Sequence, residues 1–146
     1  MNELLLIVHI AGRRCALGAN DVHSVIEVGT ITPIPRAPEH IAGLTTLRSQ
    51  ALTVVDCRQA IGFDPADFAT DIRAPIVHIA GHNYALLVDQ VEDVAEAISD
   101  AEEVLGGYGE RWKGVSKGLI ETAEGPALLF DFKALMGSPM EDQRAA

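Results

Sequence analysis

Histidine, cysteine and carboxylate side chains are the groups of this chain that could hold a metal ion or react with a substrate. The five histidines stand at positions 9, 23, 40, 78 and 82, and no two of them have the i, i+4 spacing of a helical metal site. The sequence also lacks a GxSxG nucleophile motif and a glycine-rich phosphate loop followed by lysine. We therefore predict no enzyme activity, no catalytic residue, no metal site and no cofactor.

The acidic stretch from Asp89 to Glu103 holds seven carboxylates and no Lys or Arg. Such a run raises the possibility of a metal site or a catalytic carboxylate pair. Its carboxylates recur at three- and four-residue spacing, and Val91, Val94 and Ile98 occupy the other side. This pattern predicts a solvated acidic face that lies over a buried apolar face, and it favours that interpretation over either kind of site. The repulsion within this face would select basic partners.

Charge and cysteine content restrict the class of protein. Residues 1–73 carry six Lys and Arg against eight Asp and Glu, a net charge of −2. Residues 74–146 carry five against thirteen, a net charge of −8. A net charge of −10 repels phosphate backbones and argues against nucleic acid as a partner. Cys15 and Cys57 are isolated thiols, which fits a reducing compartment. The apolar run Leu4 to Ile10 is too short to span a bilayer, so we expect a cytoplasmic protein without direct membrane insertion.

One hexapeptide, IVHIAG, occurs twice, at residues 7–12 and again at residues 76–81. The neighbouring sequence repeats at the same offset of 69, and a weaker match relates residues 54–58 to residues 129–133 at an offset of 75. Two halves of similar plan therefore follow one another in the chain.

Each half begins with an apolar strand, a short glycine-containing turn and a returning strand, which predicts a β-hairpin. Further strands are predicted at residues 41–48, 51–55, 114–121 and 127–130. Short helical turns are predicted after Asn20, Asp56, Asp89 and Asp131, which could serve as N-caps; the first turn would carry Val22, Val25 and Ile26. The proline-rich residues 32–38 read as an extended connector.

Short strands leave unpaired edges, and closure into small barrels removes those edges. We therefore predict a mainly all-β domain over residues 1–138, followed by a flexible tail at 139–146. The first barrel would span roughly residues 14–70. The second would span roughly residues 72–138 and be completed by the N-terminal strand 4–12.

Trp112 follows the glycine-rich stretch from Leu105 to Gly109. An exposed aromatic residue on a loop often anchors an interface, whereas the adjoining strand could equally bury the ring. Both possibilities remain open from the sequence.

Several motifs in one order give the chain a specific resemblance. They are Cys15-Ala16-Leu17 with Asp21-Val22, Ile31-Thr32-Pro33-Ile34-Pro35 with Pro38, Gly43 through Leu47-Arg48 to Val54-Val55-Asp56, Leu86-Leu87-Val88-Asp89 with Val91 and Val94, Lys113-Gly114-Val115, and Leu128-Leu129-Phe130-Asp131. In this combination the chain, from Leu4 to Met136, resembles the CheW-like family, the coupling proteins of bacterial chemosensory arrays.

The resemblance implies two SH3-like five-stranded β-barrels and a scaffold without catalysis. Its partners would be the regulatory domain of a CheA-type histidine kinase and the cytoplasmic tips of methyl-accepting chemotaxis receptors, so that the protein would be recruited to membrane-associated arrays. The receptor-binding residues carried over from the family are Val22, Ile41, Gly43, Leu47 and Arg48. The kinase-binding residues carried over are Glu39, Thr45, Val104, Leu105 and Tyr108.

Three positions depart from the family pattern. Thr46 and Ser49 stand around Leu47-Arg48 where the family usually has Asn and Gly, and the serine suggests an altered turn. Ser24 stands where relatives commonly carry Glu, which leaves Glu27 as the nearest carboxylate in sequence for Arg48. An alternative function is a small-molecule-sensing module with a pocket between the barrels, or a specialised adaptor of a non-flagellar chemosensory pathway.

Overall fold

Ten short strands account for most of the structure. The structure is a computed structural model, and it describes residues 3–64, 72–102, 112 and 114–135. The strands are β1 (Leu4–Ile10), β2 (Arg13–Gly18), β3 (Val22–Glu27), β4 (Ile41–Leu47), β5 (Gln50–Asp56), β6 (Arg73–Ile79), β7 (His82–Leu87), β8 (Gln90–Glu96), β9 (Ser116–Thr122) and β10 (Gly125–Phe130). A 3-10 turn covers Ala19–Asp21, helix α1 covers Cys57–Ala60, and a last helical turn covers 132–135. The predicted mainly all-β fold is confirmed.

The strands form two five-stranded sheets. Strands β3 to β7 form one sheet in the order β3-β6-β7-β5-β4, which we call the central barrel. Strands from the two ends of the described chain form the other, in the order β8-β1-β2-β10-β9, which we call the terminal barrel. Each sheet has one parallel pair, β5 with β7 and β10 with β2, and its other pairs are antiparallel.

The two repeats exchange their hairpins. β1 and β2 of the first repeat lie between β8 and β10 of the second, while β6 and β7 of the second repeat lie between β3 and β5 of the first. This arrangement corrects the predicted barrel boundaries: β2 belongs with the terminal strands, and β6 and β7 complete the barrel that was expected to end at residue 70. The N-terminal strand does pair with β8, as expected for a strand that completes the second barrel.

The exchange of hairpins is possible because β1–β2 and β6–β7 are both apolar on both faces. Leu5 and Ile7 of β1 line the interior of the terminal barrel, whereas Leu6, Val8 and Ile10 pack in a larger core between the two barrels. The second repeat follows the same alternation, with Ala74 and Ile76 inside the central barrel and Val77 between the barrels. A strand covered on both sides needs a continuous apolar sequence, which explains the runs LLLIV and APIV.

Each barrel is closed by a backbone contact next to a glycine. Thr32 and Leu44 exchange two hydrogen bonds of 2.8 and 2.9 Å, and Glu102 and Leu119 exchange two of 2.8 Å. The residues before the two leucines are Gly43 and Gly118, with φ of +150° and +127°. A Cβ on Gly43 would overlap the Thr32 carbonyl, and one on Gly118 would lie 2.6 Å from the Glu102 carbonyl oxygen. Closure therefore requires glycine at both positions.

Three of the hairpin turns, β1–β2, β6–β7 and β4–β5, have two residues in the left-handed region. Ala11-Gly12 and Ala80-Gly81 have φ of +51°, +80°, +52° and +85°, as in a type I′ turn. Arg48-Ser49 has φ of +50° and +70°, and Leu47 still pairs with Gln50. Ser49 thus adopts the left-handed conformation that glycine takes most easily, and the β4–β5 turn has two residues.

Two of the four predicted N-caps are present. Asp56 accepts a hydrogen bond from the Gln59 N–H (3.2 Å) at the start of α1, and Asp131 accepts one from the Ala134 N–H (3.0 Å). The helical turns predicted after Asn20 and Asp89 are wrong, because the β-branched residues there extend as β3 and β8 alongside β6 and β1. Gln90–Glu96 of the acidic stretch form strand β8, and Val94 and Ile98, predicted to be buried, are exposed.

We expect Gly43→Ala and Gly118→Ala each to lower the free energy of unfolding by about 2 to 4 kcal/mol, because a methyl group would collide with the backbone that closes the barrel. Urea unfolding of the two variants measures the loss. Gly29→Ala is the matched control, since a Cβ there meets no atom within 4 Å. A loss of the same size in the control would contradict the closure argument.

Alkaline pH should destabilise the protein through its two buried thiols. Desolvation raises the pKa of the Cys15 thiol to about 12 and raises the pKa of Cys57 as well. Unfolded thiols ionise near pH ~8.5, so the free energy of unfolding should fall above that pH by up to ~1.4 kcal/mol per unit for each thiol until the folded pKa is reached. Urea unfolding between pH 8 and pH 10 measures the slope, which should be shallower in the Cys15→Ala, Cys57→Ala double variant; equal slopes would contradict the prediction.

Candidate functional site

The five residues carried over for receptor binding lie along the edge of the central barrel. Val22 of β3 and Ile41 at the start of β4 are half-buried and pack against the core between the barrels. Leu47 at the other end of β4 packs against the core of the central barrel. Ile41 and Leu47 are six residues apart in one strand, which separates them by about 20 Å. Val22 and Ile41 thus border one apolar core, and Leu47 and Arg48 lie at the opposite end of β4.

Gly43 and Arg48 contribute to this edge in different ways. Gly43 has no side chain to present and allows the Thr32 carbonyl to approach, so its role in the structure is closure. Arg48 is exposed at the tip of the β4–β5 turn. No carboxylate of the described residues forms an ion pair with it, and Glu27, the suggested partner, lies opposite Arg73 in the β3–β6 register.

The residues carried over for kinase binding fall in two places. Glu39 is exposed just before β4, whereas Thr45 is buried within that strand and its hydroxyl donates to the Thr30 carbonyl (3.0 Å). Val104, Leu105 and Tyr108 lie outside the described residues. Between Glu39 and Ile41, His40 is buried and its carbonyl accepts a hydrogen bond from the Asp56 N–H (2.8 Å). Desolvation lowers the pKa of His40, so its ring is held in the neutral form.

A hollow of about 440 Å³ adjoins β4 on the outside of the central barrel. It is lined by Gly29, Thr30, Thr32, Leu44, Thr45, Thr46 and Ala51. Leu44 is exposed in this lining although it lies in a strand with apolar neighbours, because the alternation along β4 turns it outward. Leu44 was not among the predicted interface residues. A bulge between Ile41 and Gly43 changes which residues of β4 face outward, and this cannot be seen in the sequence.

Two groups of charged side chains connect elements that are distant in sequence. Asp89 accepts hydrogen bonds from the Gly12 N–H (3.0 Å) and from Arg58 Nη1 (3.2 Å), which ties the β1–β2 turn to α1 of the other barrel. On the terminal barrel, Glu92 lies 3.1 Å from His9 Nε2 and 3.5 Å from Arg14 Nε. Sequence spacing gave no sign of these pairs. His9, Arg14 and Glu92 come together only when β1, β2 and β8 are neighbours, and Arg58 meets Asp89 only when the two barrels pack together.

Trp112 is part of the core between the barrels and is 3% exposed. The Phe63 ring centroid lies 6.0 Å from it, and the Arg13 guanidinium lies 5.3 Å from its ring centroid. The structure therefore decides the open question in favour of a packed aromatic ring with a cation over its face.

The described residues hold no group of three or more His, Cys, Asp or Glu side chains placed to bind a metal ion. Within the same part of the chain, no helix has the length and apolar character needed to cross a bilayer. The arrangement described above consists of exposed barrel surfaces around packed cores, which suits binding to other macromolecules.

Comparisons with known proteins agree with this architecture. The family model of the CheW-like domain matches residues 4–140. Among solved structures, the scaffolding protein TtCheW from Thermoanaerobacter tengcongensis superposes with a TM-score of 0.79 at 24% sequence identity, covering 94% of each chain, which shows a shared fold. A search of the curated proteins finds no match. Because the family model spans nearly the whole sequence, the chain belongs to the CheW-like domain family.

Proposed function

We propose that this protein is a non-catalytic adaptor that couples a CheA-type histidine kinase, through its regulatory domain, to the cytoplasmic tips of methyl-accepting chemotaxis receptors. It would act in the cytoplasm, at membrane-associated receptor arrays. The match to the CheW-like domain over residues 4–140 is the observation that carries the proposal. The shared fold with a protein described as a scaffold supports it.

The two-barrel architecture supports an adaptor role on physical grounds. An adaptor needs two separate surfaces held at a fixed distance, and the apolar core between the barrels joins them rigidly. The barrels share one plan but carry different side chains outside, so each can bind a different neighbour through a heterologous contact. Such contacts can be weak individually and still hold an array together through avidity.

The edge that carries Arg48 is suited to an α-helical receptor tip. Val22 and Ile41 offer partly exposed apolar surface, and Arg48 offers a cation at the far end of β4. A helix could place apolar residues against the former and a carboxylate against the latter, as in helix-in-groove recognition. Arg48 remains available for that contact because its described neighbours offer it no ion pair.

The alternative of a ligand-sensing module requires convergent polar groups between the barrels. The largest core cluster among the described residues there is apolar and includes Val8, Leu86 and Phe130, and the Arg58 and Asp89 side chains between the barrels already pair with each other. Apolar packing of this kind favours a rigid joint over a pocket, and so the adaptor is the better supported function.

Replacing Arg48 by Glu should weaken binding to receptor tips by about tenfold or more, because it puts a negative charge where the receptor would supply one. The exposed side chain leaves the fold intact, so the melting temperature should change little. Co-sedimentation with receptor-containing membranes measures the binding. The control is Lys117→Glu, which makes an equal charge change at an exposed residue of β9 in the other barrel. Co-sedimentation of Arg48→Glu at the wild-type level would refute the receptor surface.

Replacing Glu39 by Lys should weaken binding to the CheA regulatory domain while receptor binding remains. Glu39 is exposed, so the change removes a contact charge without disturbing the core. A pull-down with the purified regulatory domain measures the loss, and Asp21→Lys on the same barrel serves as the matched exposed control. Equal loss in both variants would point to a general effect of charge and count against a kinase surface at Glu39.

A further inference from the structure

The outer face of β8 and the start of β1 expose three large apolar side chains around one carboxylate. Leu4, Val94 and Ile98 are 53%, 49% and 58% exposed. Glu96, also exposed, lies opposite Leu4 in the β1–β8 register and between Val94 and Ile98 along the chain. Ala95 and Ala97 point into the terminal barrel, so Val94, Glu96 and Ile98 share its outer side. We call Leu4, Val94, Glu96 and Ile98 the Glu96 surface.

The Glu96 surface has a counterpart in the central barrel at an offset of 69. Ala97 N–H donates to the Glu3 carbonyl at 2.8 Å, and the equivalent Val28 N–H donates to the Ile72 carbonyl at 2.7 Å, so the backbone pairing is equivalent at the two places. Val25 corresponds to Val94 and Glu27 to Glu96. The surrounding residues have changed.

Two differences distinguish the pair of surfaces. In the central barrel the residue opposite Glu27 is Arg73, whereas the residue opposite Glu96 is Leu4. Where the central barrel has Gly29, the terminal barrel has Ile98. The terminal barrel therefore has an apolar residue at the register position that holds Arg73 in its counterpart, and it has gained apolar area. The Arg73 guanidinium itself donates to the Val91 carbonyl (3.0 Å), so the difference that bears on the glutamate is one of local charge. Among the described residues no cation lies within ion-pair distance of Glu96.

Charge over the terminal barrel reinforces the need for a cation. Its described residues, 3–18, 88–102, 112 and 114–135, hold ten Asp and Glu against four Lys and Arg, a net of −6. The central barrel, residues 19–64 and 72–87, holds five against four, a net of −1. Like charges repel across an interface, which disfavours a second copy of this acidic chain and favours a basic partner.

From these observations we infer that the Glu96 surface docks a different protein, through a segment that places an Arg or Lys side chain on Glu96 and apolar side chains on Leu4, Val94 and Ile98. The segment would supply the positive charge that this place lacks in the terminal barrel. Leu4 and Val94 continue the face on which Leu6 packs in the core between the barrels, so the partner would extend an apolar surface that is already ordered. The inference concerns a surface apart from Arg48 and Glu39 and does not depend on the roles proposed for them.

Site-specific photocrosslinking tests it. A p-benzoylphenylalanine residue replaces Val94 in the full chain, produced at its native level in its own cells, and the same residue at the equivalent Val25, 41% exposed, is the control. We expect Val94 to capture one distinct protein through a peptide that contains Arg or Lys flanked by apolar residues, with little of that product at Val25. Capture of a second copy, of lipid, of a peptide without a basic residue, or of nothing beyond the Val25 background would each overturn the inference.

Binding of the purified captured protein then tests the chemistry. Glu96→Arg and Leu4→Ser should each weaken it by about tenfold or more, Glu96→Gln should weaken it less, and added salt should reduce it. Glu27→Arg, the equivalent change in the central barrel, should leave it unchanged. Wild-type affinity for Glu96→Arg would sink the inference, whereas loss of receptor binding in Arg48→Glu bears only on the adaptor proposal.

Discussion

The structure depends on the burial of two hairpins on both of their faces. In β1–β2 and β6–β7, alternate side chains line a barrel or enter the core between the barrels, and equivalent residues do the same job in each repeat: Ile7 and Ile76 inside, Val8 and Val77 between. Hydrophobic burial is the largest favourable term in folding, so neither barrel is complete without a hairpin from the other repeat. The exchange makes one cooperative unit of a duplicated chain, and a rigid body of this kind can hold two binding surfaces at a fixed distance.

Closure is the second constraint, and it is local. A five-stranded sheet exposes two edges, and each barrel removes them by pairing the segment after β3 or β8 with β4 or β9. Gly43 and Gly118 make room for those contacts at the same place in each repeat. Gly43 was carried over as part of a binding surface, and barrel closure gives it a separate structural reason to be glycine.

Symmetry of the backbone makes the differences between side chains informative. Both barrels have the same plan, so equivalent positions on the two surfaces can be compared directly. Arg48 occupies the β4–β5 turn of the central barrel, while the terminal barrel replaces Arg73 with Leu4 opposite a glutamate and is far more acidic. One protein can therefore offer neighbours of different chemistry two separate places to bind, which is the physical requirement for an adaptor.

The sequence by itself determined the repeat, the strand-rich class, the hairpin turns and the caps at Asp56 and Asp131, because each depends on residues that are close in the chain. Only the tertiary structure decided which hairpin joins which barrel, since two hairpins of near-identical sequence suit either sheet equally well locally. It also made Gln90–Glu96 of the acidic stretch a strand and left Val94 and Ile98 exposed, and it buried Trp112 under Arg13. For the candidate site, the motif order indicated Val22 through Arg48, and the strand predicted at residues 41–48 already separated Ile41 from Leu47. The exposure of Leu44 depends on strand register and the pairing of Asp89 with Arg58 depends on the packing of the two barrels, and no local pattern contains either.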